Sequence, residues 1–91
     1  MIRIKFYSLL RMFLKQSEIE IDADKISVFA LLQKVSEKTK KDIISEVIDA
    51  EQLIQGTIIL VNGRNIYHLE KMNTIVRNGD KLDIFPPGGG G

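Results

Sequence analysis

The stretches Ile2-Arg3-Ile4-Lys5-Phe6-Tyr7-Ser8 and Glu18-Ile19-Glu20-Ile21-Asp22 both alternate apolar and polar side chains, the two-residue period of a strand. In the first, Ile2, Ile4 and Phe6 share one side, and Arg3, Lys5 and Tyr7 the other. In an antiparallel hairpin the two apolar faces coincide only when paired residue numbers sum to an odd value, because a slip of one residue turns every side chain over. Pairing Ile4 with Ile21 and Phe6 with Ile19 meets that condition. It also sets Lys5 opposite Glu20 and Arg3 opposite Asp22, cross-strand ion pairs that contribute ~0.2–1 kcal/mol each. In the hairpin loop, Arg11 and Lys15 flank Met12, Phe13 and Leu14, which are expected to fold under the end of the sheet.

Beyond the hairpin, Ser27 is placed to cap a helix in which Val28, Leu31, Leu32 and Val35 fall at i, i+3, i+4 and i+7. Gln33, Lys34, Glu37 and Lys38 take the other side. A shorter helical pattern stacks Ile43, Ile44, Val47 and Ile48, with its end expected near Gln55 and Gly56. Thr57 to Val61 is a nearly continuous apolar run, suited to a central strand with both faces in contact. Asn62-Gly63 then gives a strong hairpin signal, with Arg64, Asn65 and Ile66 as the return. Asn78-Gly79-Asp80 marks another tight turn before Lys81–Phe85, in which Leu82 and Ile84 point inward, Asp83 and Phe85 outward.

Two strands joined as a hairpin, a helical crossover and further strands make an α+β domain: a mixed sheet of about five strands, with one main helix and a short second helix packed on one face. This is the β-grasp, or ubiquitin-like, arrangement. It is expected to occupy residues 1–85, with residues 86–91 as a flexible Pro/Gly tail.

That tail reads Pro86-Pro87-Gly88-Gly89-Gly90-Gly91. Proline cannot donate to a ladder, so the chain leaves any strand ending at Phe85. Four residues without Cβ then form a strap about as narrow as a polypeptide can be. Such a strap fits a slot, although glycine runs also occur as inert ends. Tyr7 and Phe85 both fall on the outward sheet face near its root and, with one side of the Ile58–Val61 strand, form a candidate partner patch. The pattern leaves open whether Ile58 and Leu60 or Ile59 and Val61 share that face.

The remaining chemistry is sparse. A chain of 91 residues holds a single core but no deep active site with its supporting shell. Cysteine is absent, which removes disulfides and thiolate chemistry, and the net charge of +1 gives no reason to expect nucleic acid. His68 is the single histidine and has no ligand spacing around it. Glu18, Glu20, Asp22 and Asp24 read as a solvated face opposite Arg3 and Lys5, so no metal site is expected. No apolar run approaches membrane-spanning length, and a cytoplasmic location is the default. Neither a Walker loop nor a nucleophile elbow is present.

With these features assembled, the chain resembles the ubiquitin-like sulfur carriers of the MoaD/ThiS family, and among them the small subunits of molybdopterin synthase. The likeness rests on the opening Ile-Arg-Ile-Lys-Phe-Tyr strand, Val61-Asn62-Gly63-Arg64-Asn65, Val76-Arg77-Asn78-Gly79-Asp80 and the ending Phe85-Pro86-Pro87-x-x-Gly90-Gly91. Gly88 and Gly89 depart from it, standing where the family usually has larger residues. The resemblance implies that an ATP-dependent adenylating enzyme (MoeB/ThiF-like) activates the carboxyl of Gly91. A sulfurtransferase then supplies sulfur for a thiocarboxylate, which a larger molybdopterin synthase subunit (MoaE-like) uses on a pterin precursor for the dithiolene that binds molybdenum or tungsten. The chain itself would be a carrier subunit and not an enzyme, with no bound cofactor, ATP being used by the activating partner. Gly90 and Gly91 are then the reactive end, and Tyr7, Phe85, Pro86, Pro87, Gly88 and Gly89 the partner-binding residues. A ubiquitin-like protein modifier, a carrier for thiamine or tRNA thiolation, and a binding module with an inert tail are the other readings.

Overall fold

The computed structural model describes residues 1–87. Strand β1 (Ile2–Phe6) is followed by helix α1 (Ser8–Leu14), β2 (Glu18–Ile21), β3 (Lys25–Ser27), α2 (Val28–Thr39), α3 (Ile44–Val47), β4 (Ile48–Asp49), β5 (Gln52–Leu53), β6 (Ile58–Val61) and β7 (Arg64–Asn65). Two 3-10 turns, Ile66–His68 and Lys71–Asn73, lead to β8 (Ile75–Arg77) and β9 (Lys81–Phe85). The main sheet has five strands in the order β2-β1-β9-β6-β7. It is mixed, because β1 and β9 run parallel while the other neighbours are antiparallel. This is the β-grasp topology.

One face of the sheet supplies Ile2, Ile4, Phe6, Ile59, Leu82 and Ile84, all at most 1% exposed. Helix α2 covers that face with Val28, Leu31, Leu32 and Val35, each at 0% exposure. The helix begins as its sequence requires. The Ser27 hydroxyl accepts from the Ala30 N–H at 3.1 Å, satisfying one of the amides that have no partner inside the first turn. It ends at Lys40 in the left-handed region, whose N–H bonds back to the Ser36 carbonyl. Each fully buried aliphatic side chain contributes roughly 1.5–3 kcal/mol relative to exposure, so this interface dominates the core.

The hairpin keeps the expected parity but not the expected register. Ile2 faces Ile21, Arg3 faces Glu20, Ile4 faces Ile19 and Lys5 faces Glu18. A shift of two residues leaves every side chain on its own face and every charge opposite an opposite charge, so the alternation pattern cannot distinguish the two registers. The connection decides. Residues 8–14, expected as a loop, form α1, and the Phe6 N–H then bonds to the Ser17 carbonyl at 2.9 Å. Arg3 reaches diagonally to Glu18 at 3.8 Å. Of the loop's apolar residues, Leu14 folds under the sheet as expected and Leu10 joins it, whereas Met12 and Phe13 stay exposed with Leu9. Three- and four-residue helical spacing puts those last residues on the solvent side.

The second helix is also shorter than its pattern. It stops at Val47, and the chain folds into the small β4–β5 hairpin instead of continuing toward Gln55 and Gly56. Ile43 and Val47 are fully buried, so the apolar spacing reports burial correctly but not helix length. The turn residues Ala50 and Glu51 both have positive φ, 52° and 67°, as a type I′ hairpin turn demands. Neither residue type signals that geometry. The short β3–β8 pair, with Ile26 opposite Val76, was equally invisible in the sequence pattern.

At the far end of the main sheet the two Asn/Gly turns are tied together. Asn62 donates its amide N–H to the Asp80 carboxylate at 2.9 Å and accepts from the Lys81 N–H at 3.0 Å. The other Asp80 oxygen accepts from the Arg77 N–H at 2.8 Å. Gly63 and Gly79 have φ of +83° and +97° with open space where a Cβ would stand, so glycine is required there by conformation and not by crowding. No helix among the described residues is long and apolar enough to cross a membrane.

Replacing Ala50 and Glu51 together by Asn and Gly relieves two non-glycine residues in the left-handed region. Urea unfolding is expected to show a gain of about 1 kcal/mol, with the slope against denaturant unchanged.

Candidate functional site

The tail leaves the body from β9, which lies in the middle of the sheet with β1 on one side and β6 on the other. In that register Ile84 is level with Phe6 and Ile59, and Phe85 faces Ile58. Two-residue alternation therefore puts Leu82 and Ile84 in the core, and Asp83 and Phe85 on the outer face with Ile58 and Leu60. This settles which side of β6 joins the patch. Ile59 and Val61 point into the core, while Ile58 is 41% exposed, so β6 is not covered on both faces as the apolar run suggested.

Tyr7 follows the last residue of β1 and lies against the end of β9. Its ring stacks on that of Phe85 with centroids 4.2 Å apart and planes 13° from parallel. Its hydroxyl donates to Asp83 Oδ1 at 2.7 Å, and its backbone N–H bonds to the Ile84 carbonyl at 3.2 Å. Lys5 lies level with Asp83 across the strands, its Nζ 6.0 Å from the centre of the Tyr7 ring. The hydrogen bond to Asp83 is the main cause that pushes the Tyr7 phenol above its ordinary value of 10.0, because the neutral form is the donor. Partial burial and the charges of Asp83 and Glu18 act in the same direction.

The sequence thus placed Tyr7 and Phe85 on one face, and the structure brings their rings into contact. Pro86 and Pro87 follow Phe85 and are half-buried. Gly88, Gly89, Gly90 and Gly91 lie outside the described residues. His68 sits exposed in the first 3-10 turn, and among the described residues no group of three His, Cys, Asp or Glu side chains could hold a metal ion. The residue that sequence reasoning passed over is Asp83. It lies on the outer face as the alternation predicts, but it is only 8% exposed, its carboxylate covered from the Tyr7 side.

The ThiS family model matches residues 4–91. The chain belongs to the ThiS family. A protein of Archaeoglobus fulgidus described as a candidate sulfur carrier is 37% identical over 78 residues, covering 86% of this chain and 89% of that one. Among solved structures, the small archaeal modifier protein 1 of Methanosarcina acetivorans aligns with a TM-score of 0.74 at 28% identity, covering 99% of this chain and 95% of that one. A chain of the Amycolatopsis orientalis BexX/CysO complex gives a TM-score of 0.85 at 20% identity with 100% of both chains covered, a likeness of fold. The protein is accordingly a member of the ubiquitin-like sulfur carriers of the ThiS/MoaD type.

A Tyr7→Phe variant tests the hydroxyl without removing the stack. Because the folded-state pKa of Tyr7 is raised, the stability it confers is fully present below the unfolded value near 10 and fades as pH rises through the higher folded value. The variant is expected to be less stable than the parent by about 1 kcal/mol at neutral pH, and the deficit should shrink at alkaline pH, as read by denaturant unfolding across a pH series.

Proposed function

We propose that the protein carries sulfur on the carboxyl of Gly91 as the small subunit of a molybdopterin synthase. The observation that supports this reading is the clasped root of the tail. In a member of the ThiS family, an anchored Phe85 is followed by Pro86, Pro87 and four glycines.

A carboxylate is a poor acceptor for a nucleophile. An adenylating partner of the MoeB/ThiF kind would join the Gly91 carboxylate to the α-phosphate of ATP, releasing pyrophosphate and leaving an acyl adenylate with a good leaving group. A persulfide sulfur, delivered by a sulfurtransferase, attacks the acyl carbon and expels AMP. A thiol then cleaves the resulting sulfur–sulfur bond and leaves the thiocarboxylate. In the complex with a MoaE-like large subunit in the cytoplasm, that sulfur attacks a carbon of the pterin precursor and displaces an oxygen substituent. Water then hydrolyses the resulting thioester, leaving sulfur on the pterin and returning Gly91 to the carboxylate. Holding the sulfur at the tip of a docked tail makes the transfer effectively intramolecular, worth several orders of magnitude in rate.

The outer patch of Tyr7, Phe85 and Ile58, together with Pro86, Pro87, Gly88 and Gly89, is the surface assigned to partners. Gly90 and Gly91 have the narrower task of letting backbone approach nucleotide and sulfur donor without a side chain in the way. A second reading, in which the activated carboxyl is passed to lysines of other proteins, is favoured by the likeness to the Methanosarcina acetivorans modifier over almost the whole chain.

Mass spectrometry of the protein isolated from its native host tests both. A mass gain equal to the replacement of one oxygen by sulfur at Gly91 is expected. Isopeptide remnants on other proteins would favour the modifier reading, and neither signal would leave the carboxyl without a role. Gly91→Ala should fold normally, by circular dichroism, and be adenylated about a hundredfold more slowly, since a misplacement of about an ångström at a reacting centre has that scale of effect. Adenylation at the parental rate would overturn the assignment of Gly91.

A further inference from the structure

We infer that Asp83 is a positioning residue for the tail, acting through Tyr7. The inference rests on the reading of Gly91 as the reactive end and adds a residue that this reading does not need in order to be stated. Tyr7 touches three successive residues of β9: its hydroxyl meets Asp83, its N–H meets the Ile84 carbonyl and its ring covers Phe85. The next residue is Pro86, where the chain departs from the ladder. One residue, through its side chain and its backbone N–H, therefore grips the strand over the last residues that have sheet partners.

The contributions of the three contacts differ. The backbone bond fixes where Tyr7 begins but not where its ring points. The stack favours an offset arrangement but adds only about 0.5–1.5 kcal/mol beyond its buried area, and it is less directional than a hydrogen bond, so alone it holds Phe85 loosely. The phenol–carboxylate bond is directional and charge-assisted, and it selects one ring position. A carboxylate at 8% exposure on the outward side of a strand is otherwise a burden, since burial without a partner costs free energy that an apolar side chain would avoid. Asp83 thus converts a loose aromatic contact into a fixed one. Fixed φ at Pro86 and Pro87 narrows the directions in which the chain can leave Phe85. Ordering this root before docking removes part of the entropy that docking would otherwise have to overcome.

Kinetics of activation by the protein's own adenylating partner, with the carrier as the varied substrate, provide the test. Tyr7→Phe and Asp83→Ala are expected to raise KM for the carrier about tenfold at unchanged kcat, the pattern of lost uniform binding. Asp83→Asn keeps a carbonyl oxygen for the phenol and should restore KM to within about threefold of the parent. A role confined to stability would lower the melting temperature while leaving KM at the parental value in folded Tyr7→Phe, and that outcome overturns the proposal, as does an Asp83→Asn variant no better than Asp83→Ala. A separate readout does not depend on the fate of Gly91. In proton NMR, the ring-current shifts of the Phe85 ring should depart from the parental values in Asp83→Ala, as the stacked rings loosen, and remain parental in Asp83→Asn. Unchanged shifts in Asp83→Ala refute the clasp, whereas absence of adenylation in the parent protein refutes the Gly91 reading alone.

Discussion

The pairing on which the rest depends is that of β1 with β9. These strands come from opposite ends of the chain, run parallel and occupy adjacent positions in the sheet. Their register decides that Ile4 and Phe6 meet Leu82 and Ile84 in the core, and it also decides that Tyr7 arrives level with the end of β9. Core packing and tail anchorage are thus set by one alignment. A slip of one residue would bury Asp83 and Phe85 in place of Leu82 and Ile84. The same slip would break the clasp.

Much of this was legible because local patterns act on single elements. The Ser27 cap, the apolar face of α2, the two Asn/Gly turns and the inward positions of β9 are dictated by residues within a few positions of one another. Hairpin parity was legible for the same reason. Its register was not, since two registers two residues apart satisfy the same alternation and the same charges, and only the geometry of α1 separates them. The β4–β5 turn escaped for the opposite cause: Ala50 and Glu51 adopt a backbone conformation that their own chemistry disfavours.

At the site, co-facial Tyr7 and Phe85 could be read from alternation alone. Their contact, and the covered carboxylate beneath, could not. Both require knowing that β1 and β9 are neighbours, run in the same direction and place Lys5 level with Asp83, which no window of local sequence contains. An acidic residue between two buried aliphatics in a terminal strand was the available signal. Without the parallel register it reads as an ordinary solvent-facing charge.

The same neighbours impose a schedule on biosynthesis. β1 is made first, yet one of its two hydrogen-bonding sides stays empty until residues 81–84 have emerged, some seventy-eight positions later. Contacts so distant along the chain close the largest loop available and raise contact order, so they form slowly and late. A nascent chain therefore lacks the Tyr7–Phe85 clasp until its sheet is complete, so the anchored root is itself the mark of a finished fold.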